Sequence, residues 1–187
     1  MTLKTLHRIL ICFTALAISR VSPCAAQRLS PVSFDFNVGV GFGDSSGPYD
    51  SNVGVAADAL VGFRSGARAR TAGRFVVAVS GSGQVFGGGE SCTAIPGIPC
   101  TSGFPEFGVL STLAGWETGA GGARLLVGPA VARSRSEFIG AAQARLDLAK
   151  SISSHFSLLV SGRFTYIPRS QGESFSLGAI GVGFRLR

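Results

Sequence analysis

The feature that most constrains this chain is an alternation of apolar and polar residues with period two. It recurs in eight runs between residue 33 and the last residue, 187. Successive side chains of a strand point to opposite faces, so such a run buries or greases one face and wets the other, a pattern that a helix with 3.6 residues per turn cannot use. Clusters of Gly, Ser, Pro and Asp separate the runs and read as turns. The 27 glycines, 14 phenylalanines and single methionine agree with strands, because glycine weakens helix interiors while aromatic side chains suit a pleated surface.

The faces can be assigned residue by residue. In the first run Phe34, Phe36, Val38, Val40 and Phe42 oppose Asp35, Asn37 and three glycines; in the second Val55, Ala57, Ala59, Val61 and Phe63 oppose Asp58, Gly62 and Arg64. The third sets Phe75, Val77, Val79 and Val85 against Arg74, Ser80, Ser82 and Gln84. The fourth, 107–116, has the weakest pattern, with an apolar frame of Phe107, Val109 and Leu113 interrupted by Ser111 and Gly115. Leu125, Val127, Pro129 and Val131 then oppose Arg124 and Gly128, and Phe138, Ala142, Ala144, Leu146 and Leu148 oppose Gln143, Arg145 and Asp147. In the seventh run Phe156, Leu158, Val160, Phe164 and Tyr166 oppose Ser157, Ser161, Arg163 and Thr165. In the last, Ile180, Val182, Phe184 and Leu186 oppose Gly181, Gly183, Arg185 and Arg187.

A soluble β-sandwich also alternates. Two details favour a membrane barrel. The apolar faces are almost free of charge over runs of about ten residues, the length that a tilted strand needs to cross a bilayer. The opposite faces carry both signs, and in a closed barrel they meet in the lumen, where ion pairs satisfy them. The expected lumen network is Asp35, Asp58, Arg74, Arg124, Arg145, Asp147, Arg163 and Arg185. Aromatic residues gather near run ends, and Phe34, Phe42, Phe63, Phe75, Phe86, Phe107, Phe138, Phe156, Tyr166 and Phe175 are expected to form the two interfacial girdles.

The N-terminus reads as a signal peptide over residues 1–26. Lys4 and Arg8 precede an apolar run from Ile9, and Cys24-Ala25-Ala26 supplies small residues before Gln27. The apolar run is too short for a spanning helix. A lipoprotein anchor at Cys24 is the rival, and Pro23 fits it poorly. The formal charge of +7 becomes 17 − 3 − 10 = +4 once Lys4, Arg8 and Arg20 leave with the leader. The arginines are spread singly, which disfavours a nucleic-acid surface.

Of four cysteines, Cys12 and Cys24 belong to the leader; Cys92 and Cys100 flank a Pro/Gly segment and are expected to form a disulfide, as suits an exported protein. His155 is the only histidine after the leader, so a Cys/His metal site lacks ligands. No cofactor is expected.

If both termini face the periplasm, the connections at 43–52, 87–106, 133–137 and 168–174 are external, and those near 65–73, 117–122 and 150–154 are periplasmic. The longest external loop then carries the disulfide, with Gly87-Gly88-Gly89 and Pro96, Pro99 and Pro105 marking it as loop.

Signal, strand pattern and small-residue strands such as Val127-Gly128-Pro129-Ala130-Val131-Ala132 and 178–187 make the chain resemble the small outer-membrane β-barrel family, the OmpA/OmpX-like transmembrane domains, over residues 27–187. The resemblance implies an eight-stranded antiparallel up-and-down transmembrane barrel in the bacterial outer membrane, among outer-membrane lipids and inserted by the barrel-assembly machinery. Members typically end in an aromatic residue; here Phe184 is followed by Arg185-Leu186-Arg187.

Other motifs read more simply. Gly81-Ser82-Gly83 and Gly119-Ala120-Gly121 lack the third glycine of a dinucleotide fingerprint, and no Walker lysine exists, as Lys150 is the only lysine after the leader. His155 and Ser157 share the His-x-Ser spacing of outer-membrane lipid A deacylases, but Leu158-Leu159 follows where those enzymes have Asn-Ala, and Glu173 lies at the opposite end of the strand pattern. Eight strands enclose a space just wide enough for side chains, so a packed polar plug is expected over a porin-like pore, and surplus arginines would favour anions in any residual path.

Three functions remain open. The leading one is a noncatalytic barrel with external loops for envelope integrity or surface interaction. The others are a lipid hydrolase using His155 and Ser157, and a secreted lipocalin-like binder.

Overall fold

The computed structural model describes residues 32–46, 52–64, 73–87, 104–118, 122–134, 137–170 and 173–187. They form eight strands: β1 (Val32–Ser45), β2 (Asn52–Arg64), β3 (Arg74–Phe86), β4 (Phe107–Glu117), β5 (Ala123–Ser134), β6 (Glu137–Ser151), β7 (Phe156–Ser170) and β8 (Glu173–Leu186). Each pairs antiparallel with its sequence neighbours, and β8 returns to β1 to close the barrel. Closure leaves no row of unpaired backbone groups, the requirement for a sheet surrounded by hydrocarbon. The start of β1 and the end of β8 lie at one rim, the terminal end, together with the ends of β2, β4 and β6. The end of β1 and the start of β8 lie at the other rim, the loop end.

Burial is inverted relative to a water-soluble barrel. Outside, Val38 is 62% exposed, Val182 63%, Trp116 62% and Phe138 72%; inside, Arg124 and Arg145 are 1% exposed and Arg185 is fully buried. A soluble protein places side chains the other way round, so the secreted lipocalin-like reading does not fit this molecule. An arginine placed on the outer wall tests the point. Val38→Arg is expected to lower the stability of the barrel refolded in lipid vesicles by about 2 to 4 kcal/mol, and a neutral result would contradict a hydrocarbon environment there.

Two expectations about faces are corrected. In β4 the residues Phe107, Val109 and Leu113 point inward with Glu117, while Leu110 and Trp116 face out. The pleat allows only one parity to face the lumen, and Glu117 assigns it. Of the expected girdle, Phe34, Phe63, Phe75, Phe138 and Tyr166 are on the outside, whereas Phe86, Phe107 and Phe175 are buried inside at 7%, 2% and 3% exposure.

Local irregularities have local causes. Pairing between β4 and β5 is interrupted between Ser111↔Ala130 and Ala114↔Val127. Pro129, which has no N–H to donate, sits in the gap. At the terminal end, the Ser153 hydroxyl accepts the backbone N–H groups of His155 and Phe156 at 3.3 and 3.1 Å, and Thr118 Oγ1 accepts those of Gly122 and Ala123 at 3.2 and 3.1 Å. Such side chains tie short turns to their own backbone.

Candidate functional site

The lumen toward the terminal end holds one connected ion-pair network beside the apolar cluster of Leu60, Val76, Ala78, Leu113 and Leu126. Arg185 on β8 donates to Asp35 on β1 at 2.9 and 3.1 Å, to Glu117 on β4 at 3.2 Å and to Asp147 on β6 at 3.3 Å. Arg124 on β5 joins Asp35 to Asp147, its Nε lying 2.9 Å from the latter. Arg64 on β2 pairs with Glu117, and Arg187 approaches the same carboxylate at 3.9 Å. Arg145 on β6 donates to Asp147 at 2.7 Å and also to Asp58 on β2, extending the network to mid-lumen, where Arg163 on β7 stands 3.6 Å from Asp58. Each carboxylate meets at least two guanidinium groups, so burial does not leave an isolated anion. The fork of each arginine suits this bridging geometry.

The lumen toward the loop end is apolar. Phe86, Phe107, Phe175, Val109, Ile167 and Leu177 pack together with Phe104, which precedes β4 and enters the mouth. The Phe104 ring lies edge-on to Phe86 at 4.6 Å and to Phe175 at 5.6 Å between centroids, and Phe107 is 5.2 Å from Phe175. These are favourable aromatic geometries. Gly43 on β1 accommodates the cap, since a Cβ there would lie 2.5 Å from the Phe104 ring. The arrangement therefore consists of two layers in series, one charged and one aromatic.

Of the eight residues expected in the lumen network, Asp35, Asp58, Arg124, Arg145, Asp147, Arg163 and Arg185 are brought into contact. Arg74 departs from that expectation. It lies half-buried at the start of β3, at the rim, and takes part in none of the ion pairs seen among the described residues. Glu117 and Arg64 belong to the network although the expected set omitted them. Arg64 carried a signal, sharing the parity of Asp58. Glu117 closes β4, where the pattern is least regular and a turn was expected.

His155 and Ser157 do not form a dyad. His155 is exposed, with Nδ1 3.2 Å from the Arg187 carbonyl oxygen, whereas Ser157 is fully buried and its hydroxyl lies 3.3 Å from that of Ser151. No group of three or more His, Cys, Asp or Glu residues with metal-binding geometry occurs among the described residues. The signal segment 1–26 and the Cys92–Cys100 pair lie outside the described residues.

Comparison of the fold with solved structures gives a likeness to Neisserial surface protein A, with a TM-score of 0.50, 14% identity and coverage of 84% of this chain and 97% of the other. The attachment invasion locus protein Ail of Yersinia pestis aligns at a TM-score of 0.43 with 11% identity, over 84% of this chain and all of the other. Ail in complex with the heparin analogue sucrose octasulfate gives 0.44 and 11% over the same coverage. No protein-family model matches the chain, and no curated protein matches it in sequence. The fold is that of the small eight-stranded outer-membrane barrels.

Proposed function

We propose that this protein is a noncatalytic resident of the bacterial outer membrane whose closed barrel holds external loops at the surface for envelope integrity or surface interaction. The observation that carries the reading is the filled lumen. Charged residues seal its terminal end and four phenylalanines its loop end, so the barrel has the construction of an anchor rather than a channel. The apolar outer wall supplies the lipid contact, and insertion by the barrel-assembly machinery follows from that location. The longest connection, 87–106, is proposed to be stapled by a Cys92–Cys100 disulfide. In this reading it is the segment best placed to meet an external partner, because recognition in such folds resides in loops on a rigid scaffold.

Electrical recording gives the test. The refolded barrel in planar bilayers is expected to show no steady conductance, while cell fractions hold it in the outer membrane as a band whose gel migration shifts on heating. Stable, ohmic single-channel steps would overturn the anchor reading, and recovery wholly in the soluble periplasmic fraction would overturn the location.

A further inference from the structure

We propose that the lumen binds one internal water molecule between its two seals, held by Arg163, Asn37 and Asp58. Asp58 Oδ2 already accepts hydrogen bonds from Arg145 and, at 3.1 Å, from Asn37 Nδ2. Arg163 Nη1 stands 3.6 Å from Asp58 Oδ1, an ion pair that is too long for a direct hydrogen bond and leaves room for a water bonded to both beside it. Arg163 and Asn37 are 7% and 4% exposed, and among the described residues neither Arg163 Nη1 nor Asn37 Oδ1 has a hydrogen-bond partner. An unmatched polar atom at that depth costs about 1 to 3 kcal/mol, more when charged.

A cavity is lined by the residues of this cluster. Its walls are Asn37, Asp58, Ser161 and Arg163 with the small residues Ala56 and Ala179, and it leaves about 10 Å³ of room for a water's centre. That is the threshold for a single water, which also needs two to four polar partners. The balance of donors and acceptors selects the occupant. A water accepts from Arg163 and donates to Asn37 Oδ1 and Asp58 Oδ1, with the Ser161 hydroxyl free to play either part. A halide would face two oxygen acceptors, and a metal cation would face the guanidinium. The water relays Asp58 to Arg163 between the aromatic cluster on one side and the ion pairs on the other.

Crystals of the full mature barrel grown in bromide test the assignment. The expected result is one solvent peak within hydrogen-bond distance of Arg163 and Asn37 that carries no anomalous signal at the bromine edge. In the Ala179→Val variant, whose added methyl groups occupy the cavity, the peak should be lost. An anomalous bromide peak at this position, a guanidinium bonded directly to Asp58 with no solvent between them, or a peak that persists unchanged in Ala179→Val would each overturn the proposal. Should that variant fail to fold, the wild-type crystal alone decides.

Discussion

Asp147→Ala is expected to destabilise the folded barrel by about 3 to 5 kcal/mol, the usual cost of removing one partner from a buried ion pair. Asp147 has no exposed surface and receives hydrogen bonds from Arg124, Arg145 and Arg185, so its loss leaves three guanidinium groups sharing Asp35, Glu117 and Asp58. Urea titration in detergent micelles, followed by the heat-dependent gel shift and by the fluorescence of Trp116, the only tryptophan, measures the change. Asp147→Asn keeps the shape and removes the charge, and it should fall nearly as far as the alanine variant if charge is the dominant loss. A shift below about 1 kcal/mol in both variants, the scale of an exposed pair, would show that the network does not hold the barrel together.

The second large effect concerns the seam where the last strand meets the first. A Cβ at Gly183 would overlap the Phe36 carbonyl oxygen and lie 2.7 Å from Asn37 Oδ1 and 2.8 Å from Asn37 Cα. The obstacle is mostly backbone, which cannot swing aside as a flexible side chain would, and β1 and β8 must pair there to close the ring. Gly183→Ala is therefore expected to abolish the heat-modifiable folded band, or to cost more than about 4 kcal/mol, a loss that few single substitutions cause. Gly81→Ala serves as the control. Nothing among the described residues lies within 4 Å of a Cβ at that outward-facing position, and the change should stay within about 0.5 kcal/mol, as for surface sites. Equal behaviour of the two variants would refute a steric role for the seam glycine.

Two seals in series explain why neither alone need be perfect. Opening the aromatic cap would still leave the ion-pair network across the lumen. Loss of one ion pair would leave Phe104, Phe86, Phe107 and Phe175 across the mouth.

Much of this was legible in the chain. Parity along a strand is a local property, so one charged residue assigns a whole face: Asp35, Asp58, Arg124, Arg145, Arg163 and Arg185 each point inward and carry their alternate neighbours with them. The same signal was present for the misplaced aromatics. Phe86 shares the parity of Gln84, Phe107 that of Glu117, and Phe175 that of Arg185. Their position near strand ends, where lipid-facing girdles also occur, obscured it.

Sequence alone therefore determined the number of strands, the faces of every strand but β4 and the inversion of charge to the inside, because these follow from spacing within single strands. Only the tertiary structure decided which carboxylate meets which guanidinium, that Arg185 joins carboxylates from β1, β4 and β6 while Arg74 stays at the rim, and that Phe104 caps an apolar half of the lumen. Those outcomes depend on the tilt and stagger of the closed barrel, which set the height of each inward side chain relative to strands across the lumen. No local periodicity encodes that height.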